Sequence, residues 1–244
     1  MTTAAARPRR RARRGQGELL RAEILVAARE LLAEAQDADA VSVRAVADRV
    51  GVTTPSIYLH FADKGALLDA VCEDVFTELD SRMEQAAATT DDPFESLRLR
   101  GLAYVQFALE NPEQYRLAMM RMPGHGSAST VFSYDDIVGG PTYHHLTEAV
   151  GRCIEVGVFA PGTDPGRIAT TLWAAAHGAV SLCLAKPGLA GEDALALCES
   201  VIHNAGLGAA LHSYVCAAHP EADDVGAGES SEQIAALLRS IDLG

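Results

Sequence analysis

Few side chains of this sequence are spaced for covalent chemistry. Ser, His and Asp are all present, but no G-x-S-x-G elbow, phosphate-cradling glycine loop or paired-carboxylate motif sets them for a reaction. His144 and His145 are adjacent, so on a helix their rings point about 100° apart and suit a single metal ion poorly, and no H-x-x-x-H completes a site. Cys72, Cys153, Cys183, Cys198 and Cys216 lie far apart with no C-x-x-C and read as small apolar residues of a reducing compartment. The expectation is a chain that is not an enzyme, with no metal and no cofactor. Hydrogen bonding is different. Residues 42–64 read SVRAVADRVGVTTPSIYLHFADK. Ser42 can cap a helix whose Val43, Val46, Ala47 and Val50 share one apolar face, and Gly51 supplies a left-handed turn. Thr54 is then placed to cap a second helix with Pro55 at its first position. Ile57 and Phe61 point inward at helical spacing, which leaves Thr54, Ser56, Tyr58 and His60 as a polar face suited to a DNA major groove.

The register Ser42, Arg44, Val46, Ala47, Gly51, Val52, Thr53, Ile57, Tyr58, His60, Phe61, Asp63, Lys64, Leu67 and Leu68 resembles the helix-turn-helix of the TetR family of bacterial transcriptional regulators, with its Y-x-H-F-x-D-K-x-x-L-L extension. The resemblance implies roles for individual residues. Arg44 is similar in position to the family's base-reading residue on the first helix of the motif, and Arg prefers guanine O6 and N7. Thr54, Pro55 and Ser56 open the recognition helix, where short side chains can meet thymine methyls, and Thr53 just before them is also an expected DNA contact. Tyr58, His60 and Lys64 are expected to hold phosphates, with Ser42 at the cap beside them. The recognition helix carries no Arg, Asn or Gln, so specificity is expected to lean on Arg44 and on DNA shape.

Charge divides the chain in the same way. Of 20 Lys+Arg and 33 Asp+Glu, residues 1–70 hold 11 and 9, net +2, and residues 71–244 hold the remaining 9 and 24, net −15. The basic end can face phosphate, and the acidic remainder would be repelled by it. Arg7, Arg9, Arg10, Arg11, Arg13 and Arg14 form an arm without acids, expected to be disordered alone and either to reach the DNA backbone or minor groove or to remain a solvated tail. The arm lacks the apolar run of a signal peptide. The uncharged stretch Ile168–Ala185 approaches the length of a membrane span, but Thr170, Thr171, His177, Gly178 and Ser181 interrupt it, and a buried bundle helix explains it better.

The positioning elements are all helical: Ala and Leu dominate and apolar positions repeat at helical spacing. Expected helices cover Glu18–Glu34, the two of the motif, a fourth capped by Asp63 and running to about Ala87, then Phe94–Glu110, Pro112–Met120, Pro141–Gly157, Asp164–Ala185 and Gly191–Ala217. The expected organisation is a basic arm (1–17), a helix-turn-helix domain (18–70), a helical effector-binding and dimerisation domain (71–221) and an acidic, Gly-rich tail (222–244) with a short helix near Gln233–Ile241. The fourth helix joins reading head to body, so a shift at one end must be felt at the other.

In the body, Trp173, His177 and Gly178 form W-x-x-x-H-G, similar to the signature of one TetR-type C-terminal domain class, in which this face looks toward the inducer cavity. Trp173 and His177 stack on one helix face, and Gly178 would let a neighbouring helix approach. Tyr104, Phe107, Tyr115, Met119, Met120, Met122, Phe132, Tyr134 and Tyr143 are concentrated upstream. Such side chains line adaptable pockets and also fill ordinary cores. From these, Tyr104, Phe107, Tyr115, Met119, Met122, Tyr143, Trp173 and His177 are the expected contacts for an apolar or amphipathic small molecule. The expected protein is a cytoplasmic, homodimeric, ligand-responsive regulator, a repressor released from a palindromic double-stranded operator, with no membrane partner. A helical enzyme or carrier borrowing the fold, and an architectural DNA-binding protein without effector, are the alternatives.

Overall fold

A computed structural model describes residues 16–35, 41–120, 139–186, 188 and 193–218. Among them the chain is all-α, in nine helices with no strand. The arm residues Arg7–Arg14, Met122, Phe132, Tyr134, most of the Gly- and Ser-rich connection, and the tail with its expected short helix lie outside the described residues.

Helix α1 (Gln16–Ala35) buries Ile24, Ala27, Ala28 and Leu32, with Leu20 and Leu31 packed at the margin. Across it lies the motif pair. In α2 (Val43–Val50) the Ser42 hydroxyl accepts from the Ala45 N–H at 3.1 Å, and Gly51 closes the helix at φ 77°, where a Cβ would be strained. Helix α3 (Thr54–Tyr58) is only five residues long. Its N-cap is Thr53, not Thr54 as expected. Both Gly51 and Val52 donate to the Ala47 carbonyl at 3.0 Å, so the turn is complete one residue sooner and Thr53 is already the extended residue before the helix. Its hydroxyl lies 2.9 Å from that of Ser56 and caps no backbone N–H.

Helix α4 (Lys64–Ala87) starts at Asp63, whose carboxylate accepts from the Ala66 N–H at 2.8 Å. At 24 residues it spans about 36 Å, enough to reach from reading head to body. Leu67, Leu68, Val71, Val75, Leu79 and Met83 form its buried spine. After a turn capped by Asp92, α5 (Pro93–Glu110) packs back along α4, and α6 (Pro112–Met119) bridges α4 and α1. Helices α7 (Pro141–Glu155), α8 (Pro165–Ala185) and α9 (Ala194–Ala218) complete the body, α8 lying between the other two. Proline in the first turn of α3, α5, α6, α7 and α8 fits positions whose N–H has no helical acceptor.

Gly178 has nothing within 4 Å of where a Cβ would stand, so it is not the within-chain close approach expected of it. That role belongs to Gly101 and Gly206: a Cβ there would come within 3.2 Å of Ile202 and 3.3 Å of Phe94, so α5 and α9 touch nearly backbone to side chain. One apolar core runs without a break from Ile24 in α1 through α4 to Val180 and Cys198 in the body, and a second gathers Tyr143, Val150, Phe159 and Ile168 between α7 and α8. The Cys183 and Cys198 sulfurs come within 3.8 Å, and burial pushes the Cys198 thiol up to about 12, where it is protonated and inert.

Candidate functional site

Two features face outward from this scaffold. The first is the tip of the motif. Ile57 and Phe61 are buried, which turns Thr53, Pro55 and Tyr58 to solvent, with Thr54, Ser56, His60 and Lys64 partly covered. His60 lies beyond the end of α3, packed near Gly17 of α1, and so stands at the margin of the helix rather than on it. Arg44 projects from α2 with 87% of its side chain exposed, its nearest acid Asp48 at 4.0 Å. A long cation held out beside short hydroxyl-bearing residues is free to enter a groove. Arg49, by contrast, is held by Glu30 and Glu34 of α1 at 3.1 and 2.7 Å. Leu59, 85% exposed, was missed by the sequence reading; it occupies the tip at the same spacing as the polar residues and can meet a thymine methyl.

The second feature is a cavity of about 330 Å³ within the body. Tyr104, Met119, Tyr143 and Trp173 line it, four of the eight residues expected to do so. Phe107, Tyr115 and His177 do not. Phe107 is sealed in the core beneath the Arg82 guanidinium, 5.2 Å from its ring. Met122 lies outside the described residues. Unexpected are Phe76, Thr77, Asp80 and Met83, which with Glu73 present one stripe of α4 at helical spacing to the cavity. The stripe was legible as a periodicity, but α4 carries its larger apolar spine on the neighbouring face. A smaller cavity of about 60 Å³ shares Met83, Tyr104, Leu146 and Trp173 and reaches Arg98, Arg100 and His203.

Tyr115 and His177 lie behind the wall. The His177 Nδ1 is 2.6 Å from the Tyr115 hydroxyl and 3.2 Å from that of Tyr104, and the two hydroxyls are 2.9 Å apart. Burial lowers the His177 pKa and raises both tyrosines, Tyr115 to about 12, so a neutral imidazole meets two protonated hydroxyls. This triangle ties α5, α6 and α8 together, with the Trp173 ring 6.2 Å from that of His177. A second junction holds α1. Arg29 donates to Gln114 of α6 at 2.6 and 3.0 Å and to Asp74 at 2.8 Å, and also pairs with Glu78.

Asp80, Glu84 and His145 bring one possible metal-ligand atom each to within 4.8 Å of one another, a convergence that the adjacency of His144 and His145 did not foresee. The charges are internally paired: His145 contacts Asp80 at 3.0 Å, its pKa raised by that hydrogen bond, and Glu84 is paired with the buried Arg100, which holds its carboxyl below the usual value.

A family model of bacterial regulatory proteins, tetR family, matches residues 24–71, and one described as tetracyclin repressor-like, C-terminal domain, matches residues 97–205. The HTH-type transcriptional activator FasR of Mycolicibacterium smegmatis is 33% identical over 160 residues, 60% of this chain and 70% of that protein. The chain belongs to the TetR family. Also similar to this TetR-family chain is the HTH-type transcriptional repressor KstR2 of Mycobacterium tuberculosis, 28% identical over 151 residues, 62% of this chain and 74% of that one. A solved structure from Rhodococcus sp. RHA1, titled as a protein with unknown function, matches with a TM-score of 0.64 at 27% identity, covering 78% of this chain and 94% of that one. The protein is a DNA-binding transcriptional regulator.

Proposed function

We propose that this regulator binds a near-palindromic operator as a homodimer and leaves it when a small apolar or amphipathic molecule fills the 330 Å³ cavity. The observation that carries this reading is that α4 supplies both the cavity wall, from Glu73 to Met83, and the first turn behind the recognition helix, at Lys64. A ligand that shifts the wall has a rigid rod on which to act. In this reading Arg44 reads a base, Ser42, Thr53, Thr54, Pro55 and Ser56 fit the groove, and Tyr58, His60 and Lys64 hold phosphates. The division at residues 70 and 71, the assignment to the W-x-x-x-H-G class and a cytoplasmic location belong to the same reading.

Dimerisation is supported by α8 and α9. Both are long and apolar enough to span a membrane by length and composition alone, yet only 33% and 17% of their apolar windows are buried within one chain. Leu182, Leu207, Leu211 and Tyr214 stand exposed on them. A second copy, packing these helices into a four-helix bundle, removes that surface from water and sets two motifs about 34 to 36 Å apart, one turn of DNA. The engagement of His177 Nδ1 by two tyrosine hydroxyls favours an anchoring role for it over proton transfer.

The test is selection of binding sites from random duplexes, followed by competition with small molecules. A palindromic consensus that a ligand releases supports the reading; recovery of no preferred sequence, or of a ligand that binds without altering operator affinity, overturns it.

A further inference from the structure

The cavity is one-sided in charge. Its ionisable carboxylates are Glu73 and Asp80, and no Lys, Arg or His is among the described residues that line it. Four aromatic residues line the same cavity: Phe76, Tyr104, Tyr143 and Trp173. The hydroxyls of Tyr104 and Tyr143 are engaged elsewhere, the latter with Gly166 and Thr170 at 2.9 and 2.7 Å, so neither is left over to receive an anion. Glu73 and Asp80 are seven residues apart, two helical turns, and face the same way. Glu73 is exposed at the mouth, and Asp80, its side chain 17% accessible, lies deeper against His145.

Resting on the reading of this cavity as the effector site, we infer that its ligand is a lipophilic organic cation, an amine or quaternary ammonium carried on an apolar body. Glu73 attracts it at the entrance, Asp80 meets its charge, and the rings of Phe76, Tyr104 and Trp173 offer electron-rich faces to the charge and apolar area to the body. An anionic amphiphile of the same size meets two carboxylates, and the nearest cation, His145, is already taken by Asp80 at 3.0 Å. Its headgroup has to be desolvated against like charge, which is the repulsive half of the selectivity.

Trp173 is the sole tryptophan of the chain and lies in the wall, so its emission reports occupancy directly. The experiment titrates the full-length protein with decyltrimethylammonium, 1-decanol and decanoate, three probes that share one alkyl chain. The cation is expected to bind about tenfold tighter than the alcohol, and decanoate to bind weakest. Asp80→Asn, which keeps an acceptor for His145, is expected to lower cation affinity about tenfold, and Glu73→Gln by less, with decanol affinity unchanged in both as the control for folding. Decanoate binding as tightly as the cation, or undiminished cation affinity in both variants, overturns the inference. Decanol and decanoate binding while the cation does not defeats the charge selectivity alone and leaves the effector cavity standing. Silence of Trp173 toward all three probes removes the effector cavity and this inference with it.

Discussion

Arg44 and Lys64 illustrate two ways for one positive charge to serve the same surface. Arg44 extends 87% exposed from α2, with a planar fork that matches guanine O6 and N7. Arg44→Ala is expected to cost about 1 to 3 kcal/mol at one base pair and to relax the choice there, read from a binding-site selection profile. Lys64 lies at the start of α4, and in the proposed reading its ammonium holds phosphate. Lys64→Ala should weaken all duplexes alike and reduce the slope of log affinity against log salt by about one unit; a changed sequence preference would reverse the assignment. His145 carries a third effect, on stability. The hydrogen bond to Asp80 raises its pKa above 6.5, against Arg100 and with Glu84 facing it from α5 and α4. The folded state therefore holds its proton more tightly than the unfolded chain. The stability this gives is complete below pH 6.5 and is lost as pH rises through the folded-state value. The melting-temperature gap between the parent and His145→Gln should accordingly close as pH is raised, and a gap independent of pH would count against the pairing.

At the scale of helices the junctions decide how the reading head hears the body. Arg29 joins α1 to α4 through Asp74 and Glu78 and to α6 through Gln114, and α6 is tied by Tyr115 to His177 of α8. A displacement at the cavity wall thus has two routes to α1, along α4 and across α6. Arg29→Ala removes a donor that three acceptors share and should cost about 1 to 2 kcal/mol of stability, seen in denaturant melts, while reducing the effect of ligand on operator affinity. Trp173→Ala and His177→Ala belong to the same route. They should blunt ligand release yet spare operator affinity without ligand, checked by anisotropy on labelled operator; equal loss of both would mean general unfolding.

The whole molecule is bound by a thermodynamic constraint. If ligand and operator prefer different spacings of the two motifs, each must weaken the other by the same factor, because one coupling free energy is seen from both ends. A tenfold to hundredfold release requires about 1.4 to 2.8 kcal/mol, a small part of what burying an apolar body in such a cavity supplies. Calorimetry of ligand binding with and without operator should return that same factor. The charge division, net +2 against net −15, is expected to orient the protein before contact, with the basic end toward DNA and the acidic body turned away. Deleting residues 2–14 should lower affinity at low salt and leave the dimer intact on a sizing column, since six arginines bring no apolar area to a core.

What could be read from the sequence was local. Ser42, Gly51 and Asp63 act through backbone groups within three or four residues of themselves, so their caps and turn were legible, as was the all-helical pattern that 3.6-residue periodicity imposes. The exception, Thr53 in place of Thr54, was a matter of where one turn's hydrogen bonds finish. The tyrosines and tryptophan near a pocket were legible as composition, but their division was not. Phe107 and Tyr115 are aromatic like Tyr104 and Tyr143, and only the packing of α5, α6, α7 and α8 seals the first pair away from the cavity and sets the second on its wall. Nothing in the sequence sets Glu73 and Asp80 apart from the other acids of the body, and Arg29 and Gln114, 85 residues apart, carry no mark of each other. Contacts of that range depend on how helices pack, which one-dimensional spacing does not encode, and the charge of the cavity, with the chemistry of what fills it, follows from them.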